Sequence, residues 1–198
     1  MLRPRAALAG LLAAWRDRVT LVEIDGAKFY RYRGGLYPER LNKGEAVAGI
    51  REKALQYCVG RGLDVGAGSW PLPGAIPVQE EAGRNAYNLD EFADGSLDFV
   101  FSSHCLEHLE RWPEALALWS RKLKPGGVMF LYLPHESMRL WRPGAPWVKG
   151  HHKWIPTAEA VSHLLEVNGL DIAERGPERD EWWSFYLAAR KPGGSANV

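Results

Sequence analysis

Three groups of residues in this chain have the types and spacing to do chemistry. The first is the run Leu63-Asp64-Val65-Gly66-Ala67-Gly68, an apolar segment that carries one carboxylate and closes on two glycines. Glycine adopts positive φ without strain and has no Cβ, so a ligand can approach its backbone closely. An aspartate inside an apolar strand is costly unless its carboxylate finds donors. Loop amides or a ligand amine would supply them. The second group is histidine: His104, His135 and His152 fall at predicted strand ends or in a loop, where one of them could take a proton from a nucleophile. The third is aromatic. Trp141, Trp147 and Trp154 punctuate the Pro/Gly-rich stretch ESMRLWRPGAPWVKGHHKW, which reads as a lid that packs a sugar, aromatic or acyl substrate. Trp182 and Trp183 can add to it.

A further pattern competes with these. His104-Cys105-Leu106-Glu107-His108 fits H-x-x-E-H, a zinc-peptidase signature in which two histidines share one helix face. That reading requires a helix, whereas the segment stands at a predicted strand end. The plainer alternative gives Glu107 and His108 structural roles, satisfying nearby backbone groups.

The elements that must position these residues follow from periodicity. Residues 19–33 alternate around Asp25-Gly26 and predict a hairpin. Asn42 and Glu45 form a capping-box-like start for a helix through Val47, Ile50, Ala54, Leu55 and Cys58. Strands follow at Leu63–Val65 and from Ala75. Only nine residues, Ser69–Pro77, lie between them, fewer than the dozen or so of a parallel crossover. The spacing therefore predicts a turn at SWPLPG in place of a helix, and Pro77 predicts an edge strand. The stretch Glu80–Asn88 is likewise too short for a full crossover helix. Then come a strand at Leu97–Phe101, a helix opening at Pro113 with Leu116, Trp119 and Leu123 inward, a turn at LKPGG, and a strand over Val128–Leu133. Thr157 caps a last helix closed by Gly169, and Leu170–Ala173 and Phe185–Ala189 pair antiparallel. The fold class is α/β: a Rossmann-like, mainly parallel sheet with an antiparallel last strand and helices on both faces. A single domain over 1–198 is expected, with 1–60 as N-terminal cover and substrate region, 61–135 as ligand-binding core, 136–156 as substrate lid, and 157–192 as the final helix and strand pair.

Composition bounds the function. The net charge of +1 argues against general nucleic-acid binding. The charge is uneven, however: residues 1–61 hold twelve Lys/Arg against six Asp/Glu, including Arg31, Arg33, Arg40 and Lys43. No apolar run approaches the roughly 20 residues of a membrane span. The start, MLRPRAALAGLLAAWRDR, lacks a clear small-x-small cleavage site and reads as a packing helix, not a secretory signal. The two cysteines, Cys58 and Cys105, read as buried free thiols in a reducing, cytoplasmic compartment.

The acidic residue followed by G-x-G, together with DGSLDFVFSSHCLEHL and LKPGGVMFLYLPH in that order, resembles the class I S-adenosylmethionine-dependent methyltransferases, of the type 11-like kind. The late segment HHKWIPTAEAVSHLLEVNGLDI resembles that superfamily too; residues 1–40 do not. The resemblance implies S-adenosyl-L-methionine as cofactor, with Gly66, Ala67 and Gly68 under its methionine part and Asp64 supporting the loop or the amine. It implies that Gln79, or Glu80 by a small shift in register, holds the ribose hydroxyls in place of the usual terminal acid. Asn88 and Leu89 match the adenine-recognition segment, with Asp90 as the alternative. Ser103 and His104 fall near the sulfonium. With the tryptophan-rich loop as the pocket, the acceptor expected is a small molecule or glycan-type compound methylated on oxygen. Three alternatives stand beside this: a methyltransferase-like binding module without strong activity, a zinc hydrolase, and a metal-assisted methyltransferase in which His135, His151 or His152 completes a site begun at His104, Glu107 and His108.

Overall fold

The computed structural model describes residues 17–42, 44–80 and 85–193; the helix expected at the N-terminus lies outside them. The described chain opens with a three-stranded antiparallel meander, β1 (Thr20–Ile24), β2 (Ala27–Tyr32) and β3 (Gly35–Pro38). Its first turn has Asp25 at φ +50° and Gly26 at φ +77°, and its second has Arg33 at +47° and Gly34 at +78°. Two successive residues of positive φ match the right-handed twist of the flanking strands. The Asp-Gly hairpin was legible. The Arg-Gly hairpin was not, because arginine seldom enters that region.

The helix expected from Asn42 is shorter. Ala46–Gly49 forms a 3-10 turn, and α1 covers only Arg51–Tyr57. The large sheet then assembles from β4 (Gly62–Val65), β5 (Ile76–Val78), β6 (Leu97–Ser103), β7 (Leu123–Pro134), β8 (Asp171–Arg175) and β9 (Ser184–Arg190). Their order is β5-β4-β6-β7-β9-β8. The first four are mutually parallel, and β9 runs antiparallel to both β7 and β8. No helix separates β4 from β5, and β5, with Pro77, is the edge strand. Among the described residues of 79–96 there is no α-helix either.

Two helices cover one face: α2 (Trp112–Lys122), with Pro113 in its first turn, and α3 (Ala158–Val167), whose cap Thr157 accepts the Ala160 N–H through Oγ1 at 3.2 Å. Alternation sorts the strands between the two faces. Val100, Met129, Leu131 and Leu187 join Leu116, Trp119, Val161 and Leu165 in one core. Phe99, Phe101, Phe130 and Tyr132 join Ala54 and Ile50 of the α1 region in the other. The expected LKPGG turn is absorbed into β7 as an irregularity: Leu97 pairs with Leu123, but Phe99 pairs with Val128. A Cβ on Gly127 would stand 2.9 Å from the Lys124 carbonyl oxygen, so the bulge requires glycine there.

Candidate active site

β4 lies between β5 on one side and β6 on the other, so the loops leaving the carboxyl ends of β4 and β6 diverge and leave a crevice. The loop after β4 is held by its own strand. Asp64, 1% exposed, accepts the Leu72 N–H at 2.7 Å, and Gly66 N–H donates to the Val78 carbonyl at 2.9 Å. Burial pushes the Asp64 carboxyl up to about 6, with the Leu72 hydrogen bond pulling the other way. The two glycines differ in what they permit. A Cβ on Gly66 (φ +83°) would fall 2.4 Å from Cys105 Cβ, whereas one on Gly68 (φ +53°) would meet nothing nearer than 3.9 Å. Gly66 thus lets two loops touch, and Gly68 leaves space. That space is a cavity of about 140 Å³ between Asp64, Gly66, Ala67, Gly68 and the covering residues Gly44, Ala46 and Val47, with Ser103 and His104 in its wall. Ser103 Oγ is buried there without a hydrogen-bond partner.

His104 ends β6 with φ +48°, a left-handed backbone that costs a non-glycine residue roughly 1–3 kcal/mol. Its amide donates to the Tyr132 carbonyl at 2.9 Å, and its Nε2 pairs with Ser184 Oγ at 2.9 Å. The imidazole also lines a second cavity of about 310 Å³, walled by Trp141, Trp147, Trp182, Tyr132 and His152 and roofed by Arg40–Asn42 and Gly44–Ala46. Two chambers therefore meet at one side chain. Burial, with His152 and His108 close by, drops the His104 pKa to about 3, and burial drops that of His152 to about 4. Both rings are neutral at pH 7.

The helical form of H-x-x-E-H is absent. Only Leu106–His108 turns, as 3-10, and His104 precedes it in a left-handed conformation, so the two histidines do not share a helix face. Glu107 is instead wholly buried, with its carboxyl pushed up to about 8 by that burial. His152 meets it from the other side of the chamber: its Nε2 is 3.9 Å from Glu107 Oε1.

Not every residue singled out by sequence reaches these cavities. His135 pairs with Ser137 Oγ at 2.8 Å and lines a minor crevice beyond Trp141. Trp154 stacks on Trp112 at 4.1 Å and donates from Nε1 to the Leu106 carbonyl, away from the tryptophan chamber. Gln79 and Glu80 follow β5, and neither lines the smaller cavity. Asn88 Oδ1 already accepts the Asp90 N–H at 3.2 Å, and Leu89 is a core residue at 1% exposure. Tyr132, Ser184 and Arg40 line the larger cavity without having been singled out for it. A strand tyrosine, a serine and a surface arginine carry no local signal.

No curated protein matches the chain in sequence. A methyltransferase-domain family matches residues 75–131. Among solved structures, a SAM-dependent methyltransferase from Thermotoga maritima superposes with TM-score 0.58 at 16% identity, covering 77% of this chain and 92% of that one. Another from Archaeoglobus fulgidus gives 0.52 at 20%, covering 74% and 94%. The cyclase SpnF gives 0.54 at 19%, covering 78% and 82%. The fold is that of the class I S-adenosylmethionine-dependent methyltransferases. S-adenosyl-L-methionine is the cofactor that this methyltransferase fold and the matched domain imply. The matched segment runs from β5 into β7, and so contains Ser103, His104 and Glu107 of the crevice but not its glycine loop. Among the described residues, no helix is long and apolar enough to cross a membrane.

Proposed function

We propose that the protein methylates a hydroxyl oxygen of a small-molecule or glycan-type acceptor held in the tryptophan-walled cavity. The observation that carries this reading is His104, which forms part of the wall of both chambers. When bound, S-adenosylmethionine supplies a methyl group on sulfonium sulfur: the C–S bond breaks as the O–C bond forms, leaving S-adenosylhomocysteine and a proton to be removed. The chain's residues fit the methionine end of that cofactor. Gly68 leaves open space over its backbone, Ser103 Oγ is an orphaned hydroxyl, and Asp64 fixes the loop through Leu72. Gln79 or Glu80, and Asn88, are the residues that the family resemblance would assign to the cofactor's adenosine end.

The protein's remaining task is alignment and proton removal. Trp141, Trp147 and Trp182 present flat apolar faces on which a sugar or aromatic ring stacks, while Arg40, His104 and His152 supply the polar contacts that orient it. Of the three candidate bases, His104 and His152 border the chamber, and His135 does not. Calorimetry with S-adenosylhomocysteine tests the reading at its root. Saturable binding is expected; no detectable heat would favour a methyltransferase-like scaffold of another activity, as SpnF's name illustrates for this fold. Transfer of labelled methyl from S-adenosylmethionine to a panel of hydroxylated aromatics and glycosides then identifies the acceptor, and label appearing only on amines would refute the oxygen assignment.

A further inference from the structure

Glu107 poses a problem that the methyl-transfer reading leaves unsolved. Its side chain is 0% exposed, and neither carboxylate oxygen has a hydrogen-bond partner. A bare carboxyl in such a place is costly. Around it, at distances too long for hydrogen bonds, stand three imidazoles: His104 Nδ1 at 3.6 Å, His108 Nε2 at 3.9 Å and His152 Nε2 at 3.9 Å from Oε1. The gaps are informative. Ligand atoms about 2.1 Å from a tetrahedral ion stand about 3.4 Å from one another, slightly closer than these atoms lie. Donor atoms of Glu107, His108 and His152 all fall within 4.8 Å of one another.

The structure assigns a divalent transition-metal site to Glu107, His108 and His152, with open coordination positions facing the tryptophan-walled cavity. Two imidazoles and one carboxylate suit zinc, manganese, iron or cobalt better than magnesium or calcium, which prefer all-oxygen shells. The scaffold holds the ligands in place across the 43 residues between His108 and His152. Lys153 N–H donates to the Glu107 carbonyl at 2.8 Å and Trp154 Nε1 to the Leu106 carbonyl at 2.9 Å, so the segment bearing His152 is pinned to the turn bearing Glu107 and His108. All three residues line the same 310 Å³ cavity, which leaves the ion accessible to a ligand. With three protein ligands the ion keeps at least one free position, where an acceptor oxygen would bind and lose its proton more readily. This last role rests on the proposed function; the ion site itself does not.

The test uses the full chain purified without a metal-affinity tag, stripped with chelator and titrated with Co²⁺ while visible absorption is followed. Saturation near one ion per chain, displaced by Zn²⁺, is expected. Glu107→Gln and His152→Ala should each weaken binding by more than the ~10–100-fold that loss of an outer-shell partner costs. His163→Ala, at an exposed position on α3, should leave binding unchanged. If Glu107→Gln fails to fold, His108→Ala reads the same ligand set. Absence of saturable binding overturns the site, as does binding that Glu107→Gln and His152→Ala leave within about threefold, well below that range. Calorimetry with S-adenosylhomocysteine on the same samples separates the two claims. Co²⁺ binding without S-adenosylhomocysteine binding supports the site and overturns the function, and the reverse overturns the site alone.

Discussion

Replacing the two loop glycines one at a time should produce opposite phenotypes. At Gly66 an alanine Cβ would stand 2.4 Å from Cys105 Cβ and 2.5 Å from its Sγ, more than 1 Å inside ordinary carbon contact. Overpacking of that kind costs roughly 1–3 kcal/mol, and the left-handed backbone adds roughly 1–2 kcal/mol. Cys105 cannot retreat easily, because the turn that follows it is tied to Lys153 and Trp154. A total of roughly 2–5 kcal/mol corresponds to a Tm drop of roughly 4–20 °C at this chain length. At Gly68 an added Cβ meets nothing nearer than 3.9 Å, so Gly68→Val costs mainly the backbone term, roughly 1–2 kcal/mol, or a Tm drop of roughly 2–8 °C. Its methyl groups nevertheless enter the smaller cavity. Thermal unfolding and S-adenosylhomocysteine calorimetry on both variants give the reading. Gly66→Ala should be markedly less stable, and Gly68→Val should fold yet bind nothing. A Gly66→Ala protein melting within about 2 °C of the parent would refute the packing argument. A Gly68→Val protein that still binds would refute the assignment of the pocket.

Two further outcomes follow from the geometry. Asp64 has a folded pKa of about 6, above the ordinary carboxylate value of 3.8, so its proton-linked stability is full below about pH 4 and is lost as pH rises through 6. The difference is worth about 3 kcal/mol; Asp64→Asn, which keeps an acceptor for Leu72, should flatten the urea-unfolding stability between pH 4 and pH 7, and an unchanged slope would show that another group sets it. Trp154→Ala removes a ring stacked on Trp112 and a hydrogen bond to Leu106, and should cost about 3 kcal/mol. Because Trp154 lies outside both cavities, S-adenosylhomocysteine affinity measured well below the new Tm should stay the same; a large loss would place it in the site after all.

The smaller cavity was legible because its signals are local. Asp64, Gly66 and Gly68 sit within one strand and turn, and the nine-residue gap with its prolines announced both the missing helix and the edge position of β5. The larger cavity was legible only in outline. Trp141 and Trp147 were placed in the chamber by density of tryptophan in a loop, and the same signal misplaced Trp154, whose stacking partner Trp112 lies on a separate helix. Glu107, His108 and His152 show the limit most clearly. A helical rule applied to H-x-x-E-H pairs His104 with His108, whereas the chain makes a 3-10 turn there and brings in His152 through two hydrogen bonds from a distant loop. The LKPGG turn and the β7 strand were both correct in composition. What composition omits is that strand pairing with β6 can swallow a turn as a bulge.

The two chambers that share His104 are built on different loop lengths. The smaller one has its floor in adjacent strand ends, with Gly44, Ala46 and Val47 over it, whereas the larger one is closed by Arg40–Asn42 and Gly44–Ala46 on one side and by Trp141, Trp147 and His152 on the other, about a hundred residues apart along the chain. Such distant contacts form late in folding and release early in local opening. Amide exchange should therefore be fast over the meander and the tryptophan segment while β4 and β6 stay protected. The larger chamber can breathe without disturbing the glycine loop that floors the smaller one.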